Sequence, residues 1–174
     1  LYNNLLQSLF SSQIKTISLV FAAIYLMLLA LFRSFLNALF IIVVPAFSVG
    51  TVLSLMSIFN IPLDIMTITI ASISVGMSVD YSIHFAWRYL QERKKGINKK
   101  SKNLVELSAE KETIYSTGRA ILITGLTIIV GFIIFIFSNF NPTLLFGIFS
   151  AIAIYLSMVM SFRFLPVLLN LNFK

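Results

Sequence analysis

Five blocks of apolar residues, separated by short polar turns and one long charged segment, organise this chain. Each block is close to the roughly 20 residues that carry a helix across a hydrocarbon core. The pattern predicts spans at about 14–32, 36–59, 65–89, 119–137 and 143–165. Arg33 ends the first, and Pro45 and Gly50 lie inside the second, where a membrane helix tolerates them because neighbours satisfy the freed backbone groups. The turn Asn60-Ile61-Pro62-Leu63-Asp64 follows, with Asp64 as the N-cap of the third span. Ser138-Asn139-Phe140-Asn141-Pro142 reads as a tight turn, and Pro166 as the stop of the fifth span. The expected fold is an all-α membrane protein, a five-helix transmembrane bundle over residues 14–174, preceded by a linker at 1–13.

Composition narrows the class. Apolar residues make up 59% of the chain, charged residues 11%, and mean hydropathy is +0.97, which excludes an ordinary soluble domain. There is no Cys, and one His with six acids offers little for a metal centre, so neither a metal nor a cofactor is expected. The net charge of +7 would suit nucleic acid, but its distribution does not. With the N-terminus outside, twelve of the thirteen Lys and Arg fall in cytoplasmic segments and only Lys15 lies outside. That is a positive-inside bias, and it puts the C-terminus in the cytoplasm and excludes a nucleic-acid partner. The segment 90–118 is then cytoplasmic: a flexible basic loop from Arg93 to Lys102, followed by a short amphipathic helix over 103–115 lying on the membrane face. The chain begins at Leu1 with no charged n-region or cleavage site, and reads as a piece of a larger protein.

The third span carries the chemistry. Ser72, Gly76, Asp80 and His84 recur every four residues and line one helix face, with Ser74, Ser78 and Ser82 in a second row beside it. Asp80 is the only carboxylate deep in any span, since Asp64 is at a helix start and all four Glu are in the cytoplasmic segment. A charge there costs roughly 2.5–3.5 kcal/mol on insertion scales, so such a residue faces a bundle interior or a wet cavity. Two readings compete: a protonatable carrier, or a structural carboxyl bonded to neighbouring hydroxyls. His84, one turn away, either shares the proton or is a satisfied polar residue near the interface. Tyr81 points about 100° from Asp80 and so packs or gates. Trp87 and Tyr89, beside Arg88, read as interfacial anchors. On the fourth span, Thr124 and Thr127 join Ser78 as candidate hydroxyl partners of Asp80, and Gly125 and Gly131, with Ser72 and Gly76, allow close helix packing. An intramembrane hydrolase would need a second catalytic residue on another helix, and none is evident; no enzyme is expected.

Gly76-Met77-Ser78-Val79-Asp80-Tyr81-Ser82-Ile83-His84-Phe85, followed by Arg88-Tyr89, resembles the fourth or tenth transmembrane helix of resistance–nodulation–division (RND) exporters, nearest to their MMPL branch. Downstream, Thr117-Gly118-Arg119, Thr124-Gly125, Gly131-Phe132, Phe146-Gly147 and Leu165-Pro166 follow the family's order, as do Leu31-Phe32-Arg33, Pro45 and Asn60-Ile61-Pro62 upstream. The resemblance implies a half of an RND-type membrane domain: the five helices after an extracytoplasmic domain, the ending near Lys174 favouring the C-terminal repeat. It also implies proton-motive-force-driven export of lipids or other hydrophobic compounds, with Asp80 and Tyr81 as the proton relay and His84 as an adjoining step. The implied setting is the bacterial cytoplasmic (inner) membrane. The implied partners are membrane lipids, a first helix, a porter domain, the other repeat and, in some assemblies, a second copy. The alternative is a sterol-sensing-domain-like regulatory module with the same helix arrangement. The protein-export pair SecD and SecF differs at the residues after the Asp.

Overall fold

The computed structural model describes residues 2–61, 65–96 and 102–171, and among these there is no strand. Six helices follow one another: α1 (Tyr2–Phe32), α2 (Phe35–Ile58), α3 (Ile65–Gly96), α4 (Lys102–Thr113), α5 (Arg119–Ile133) and α6 (Asn141–Leu171). A π-helical turn, Ile114–Gly118, joins α4 to α5, and a 3-10 turn, Ile134–Phe137, ends α5. Four helical stretches, Ile14–Phe32, Phe35–Ile58, Leu107–Phe137 and Asn141–Leu171, are long and apolar enough to cross a membrane. α3, expected as the third span, is not among these four: its serines, Asp80, His84 and basic C-terminal end make it more polar. It is also the central one, with its most extensive contacts to α6 and α2.

The turns have local causes. Arg33 adopts a left-handed φ of 48°, which stops α1, and the Ser34 hydroxyl accepts from the Asn37 amide at 3.5 Å to start α2. At the other end of α2, Asn60 has φ 52°, and the Ile61 amide donates to the Met56 carbonyl at 2.9 Å. This is a Schellman-type stop with Asn in the left-handed position, a conformation Asn tolerates. Pro62, Leu63 and Asp64, with the N-cap expected there, lie outside the described residues, as do Lys99 and Lys100 of the basic loop.

Three boundaries differ from the sequence pattern. Residues 2–13, expected as a linker, are helical and continuous with the first span. The third helix does not end at Tyr89 but runs on to Gly96, because Arg93 is 4% exposed and donates to Asn170 Oδ1 at 2.6 Å. Tyr89 is fully buried and donates to the same oxygen at 2.6 Å, so it ties α3 to α6 and is no interfacial anchor. Those two bonds also explain the third difference: α6 passes through the buried Pro166 and continues to Leu171, with Leu165 and Leu169 fully buried around it. Packing on both sides supports the turn that lost its amide donor. The expected amphipathic helix exists as α4, but Ala109 and Thr113 are buried, so it packs on α3 rather than lying free on a membrane face.

Candidate functional site

The two four-residue rows of α3 part company. Ser74, Ser78 and Ser82 are fully buried. Ser78 and Ser157 both donate to Ser48 Oγ, at 3.5 and 3.0 Å, and Ser82 lies 3.4 Å from Ser161 Oγ. These hydroxyls form the seam where α2, α3 and α6 meet, the small and polar contact that lets membrane helices approach closely. Ser48, Ser157 and Ser161 did not stand out in the sequence. The available signal was the spacing Ser150, Ala153, Ser157, Ser161 on α6, all of them buried.

The other row faces away from the chain's own helices. Ser72, Gly76, Asp80 and His84 are all exposed, and a Cβ added at Gly76 would meet nothing within 4 Å among the described residues. Asp80 and His84 face each other at 3.3 Å, Oδ1 to Nε2, one turn apart, with side chains 60% and 65% exposed. Much of the exposed surface of the neighbouring helices is apolar, with Leu122, Ile123, Leu126 and Val130 on α5 and Leu19, Leu26 and Met27 on α1 all exposed. A carboxylate and an imidazole at membrane depth cannot be left against lipid cheaply, so this stripe calls for a covering polar surface or a wet cavity.

Tyr81 goes the opposite way. It is 2% exposed, and its hydroxyl, without a hydrogen-bond partner among the described residues, sits 3.3 Å from where a Gly125 Cβ would be, beside Met158. The absence of a side chain at Gly125 is what lets the ring reach α5. Asp80 and Tyr81 are therefore neighbours in sequence that address different sides of α3.

The remaining candidates do not reach Asp80. Ser78 is engaged with Ser48, while Thr124 and Thr127 donate to the carbonyls of Ala120 and Ile123 in their own helix, at 3.0 and 2.8 Å. Gly131, like Gly76, has open space where its Cβ would be. The tight approach lies instead at Gly147, whose Cβ would fall 2.5 Å from the Phe132 carbonyl oxygen. Among the described residues no group of three or more His, Cys, Asp or Glu could hold a metal ion.

The sequence that folds this way is similar to known proteins. A model of the MMPL family matches residues 2–172. The chain belongs to the MMPL family. Over 114 residues this MMPL chain is 32% identical to a membrane protein of Methanocaldococcus jannaschii, a match covering 66% of the chain and 28% of that relative. The matched part of the chain thus spans little more than a quarter of the relative's length. No solved structure matches it. Family and fold together make it a multi-pass, all-α membrane protein. MMPL proteins are transporters and not enzymes, and at the level of the family the non-enzymatic expectation stands.

Proposed function

We propose that this chain is one membrane half of a proton-motive-force-driven exporter of lipids or other hydrophobic compounds, and that Asp80 is its obligatory titrating group. The observation that carries the reading is the outward stripe of α3, where the single deep carboxylate stands 3.3 Å from the single histidine. A carboxyl there is neutral in one state and charged in another. The charged form needs His84 or a polar covering surface, while the neutral form accepts an apolar one. Proton occupancy at Asp80 therefore sets which surface the stripe prefers, and movement of α3 against that surface is the coupling step. His84 lies one turn nearer Arg88, on the side assigned to the cytoplasm, and serves as the stepping stone. Tyr81 holds α3 to α5 and α6 through Gly125 and Met158, so that a shift of α3 is passed to them.

In this reading the covering surface is the other repeat of the same protein, the substrate is handled by a porter domain, and the membrane is the bacterial cytoplasmic one with the N-terminus outside. The test uses the full-length parent in proteoliposomes with an imposed pH gradient. Asp80→Asn keeps shape and hydrogen-bonding capacity but cannot cycle between charge states, and it should abolish export while expression and folding persist. Tyr81→Phe should reduce export less, and His84→Ala should leave it active with a displaced pH profile. Export at the wild-type rate in Asp80→Asn would make Asp80 a structural residue and end this mechanism.

A further inference from the structure

A cleft of about 550 Å³ opens where the α1–α2 turn meets the C-terminal half of α3. Its walls are of two kinds. Leu31, Trp87 and Leu90 supply apolar surface, while Arg33, Gln91 and Lys94 supply the polar groups. Phe32 meets the edge of Trp87 at 6.0 Å between ring centroids, which fixes one wall.

The cations are disposed unevenly at this end of the bundle. Arg88 and Lys95 share the Glu92 carboxylate, at 3.0 and 2.9 Å, and Arg93 is bound to Asn170. Arg33 and Lys94 line the cleft and have no carboxylate partner among the described residues. Arg33 also directly follows the apolar span Ile14–Phe32, so it stands at the boundary between hydrocarbon and headgroups. The left-handed φ of 48° at Arg33 makes it the corner residue of the α1–α2 turn, at the rim of the cleft.

We propose that this cleft is a binding site for an anionic glycerophospholipid, its phosphate between Arg33 and Lys94 and its acyl chain along Leu31, Leu90 and Trp87. The volume falls in the range of ordinary small-molecule sites, with an apolar lining and few polar groups. Two cations at interfacial depth attract an anionic headgroup, and the Arg fork suits a phosphate. A zwitterionic lipid carries a cation beside its phosphate, which the same pair repels, so its net attraction is weaker. This site is remote from the Asp80 stripe in function and holds whether or not the chain carries protons.

Trp87 is the only tryptophan and lines the cleft, so its fluorescence reads occupancy directly. The chain is placed in phosphatidylcholine bilayers containing either brominated phosphatidylglycerol or brominated phosphatidylcholine as quencher. Brominated phosphatidylglycerol should quench at a lower mole fraction, by about fivefold for each cation engaged. The double substitution Arg33→Gln with Lys94→Gln should bring the two lipids to parity. Arg33→Lys should keep most of the preference, and Arg163→Gln, outside the cleft, should leave it unchanged. Parity in the unsubstituted chain, or a preference that survives the double substitution, overturns the proposal. Suppression of the preference by inorganic phosphate overturns it too, since the site would then take a small anion. If circular dichroism shows the double variant unfolded, Lys94→Gln alone decides, with about a fivefold loss expected and no loss refuting.

Discussion

Gly147→Ala probes the tightest approach in the bundle. An added Cβ would lie 2.5 Å from the carbonyl oxygen of Phe132 and 2.7 Å from Phe135 Cβ, whereas ordinary contact begins at 3.4 Å. Neither atom can swing away, because one is backbone and the other is fixed to it. The first turns of α6 must therefore retreat by about 0.9 Å from the end of α5, the scale of overpacking that costs about 1–3 kcal/mol. A 2.5 Å approach to a backbone atom belongs at the upper end of that range, and alanine returns up to about 1 kcal/mol through helix propensity, so the net loss should be about 2 kcal/mol. Gly131→Ala supplies the contrast, since nothing lies within 4 Å of its Cβ position. It should be neutral or stabilising by up to about 1 kcal/mol. The assay is reversible unfolding in mixed micelles, followed by far-UV circular dichroism and Trp87 emission. If Gly147→Ala is as stable as the unsubstituted chain, or Gly131→Ala loses as much, the close approach of α5 and α6 is not what holds this end together.

Four further outcomes are expected. Gly76→Ala should leave the stability of this chain unchanged or raised by up to about 1 kcal/mol, since its Cβ position is open, yet impair export by the full-length parent, where the stripe is covered; wild-type export in the parent would deny the covering surface. Ser48→Ala removes the acceptor shared by Ser78 and Ser157 and should cost about 0.6 kcal/mol and no more than ~1.7 in the same unfolding assay. Asn170→Ala takes away the oxygen that receives Tyr89 and Arg93 and should cost about 1–3 kcal/mol, with faster amide exchange over 167–171; unchanged exchange there would detach the post-Pro166 turn from those bonds. A cysteine at position 61 should react with an impermeant thiol reagent from outside and one at position 99 should not, and the reverse pattern would invert the topology.

Some of this was legible along the chain and some was not. The membrane class, the spanning segments and the depth of Asp80 are local properties, set by hydropathy and by the 1.5 Å rise of a helix. The spacing of Asp80 and His84 also fixes their encounter, because residues four apart share a face. Tertiary structure decided which of the two polar rows on α3 turns inward. Both rows are four-spaced and rich in small residues, so periodicity alone cannot rank them; the serines of α2 and α6 took Ser78 and Ser82, which left Asp80 outside. Helix ends followed the same rule. Proline and the basic run suggested stops at Pro166 and Tyr89, and both helices continue because Asn170, 77 residues from Arg93 in sequence, binds it across the interface. A glycine's role likewise depends on what stands opposite: Gly131 faces open space and Gly147 a carbonyl, a difference that only the packing of α6 against α5 creates.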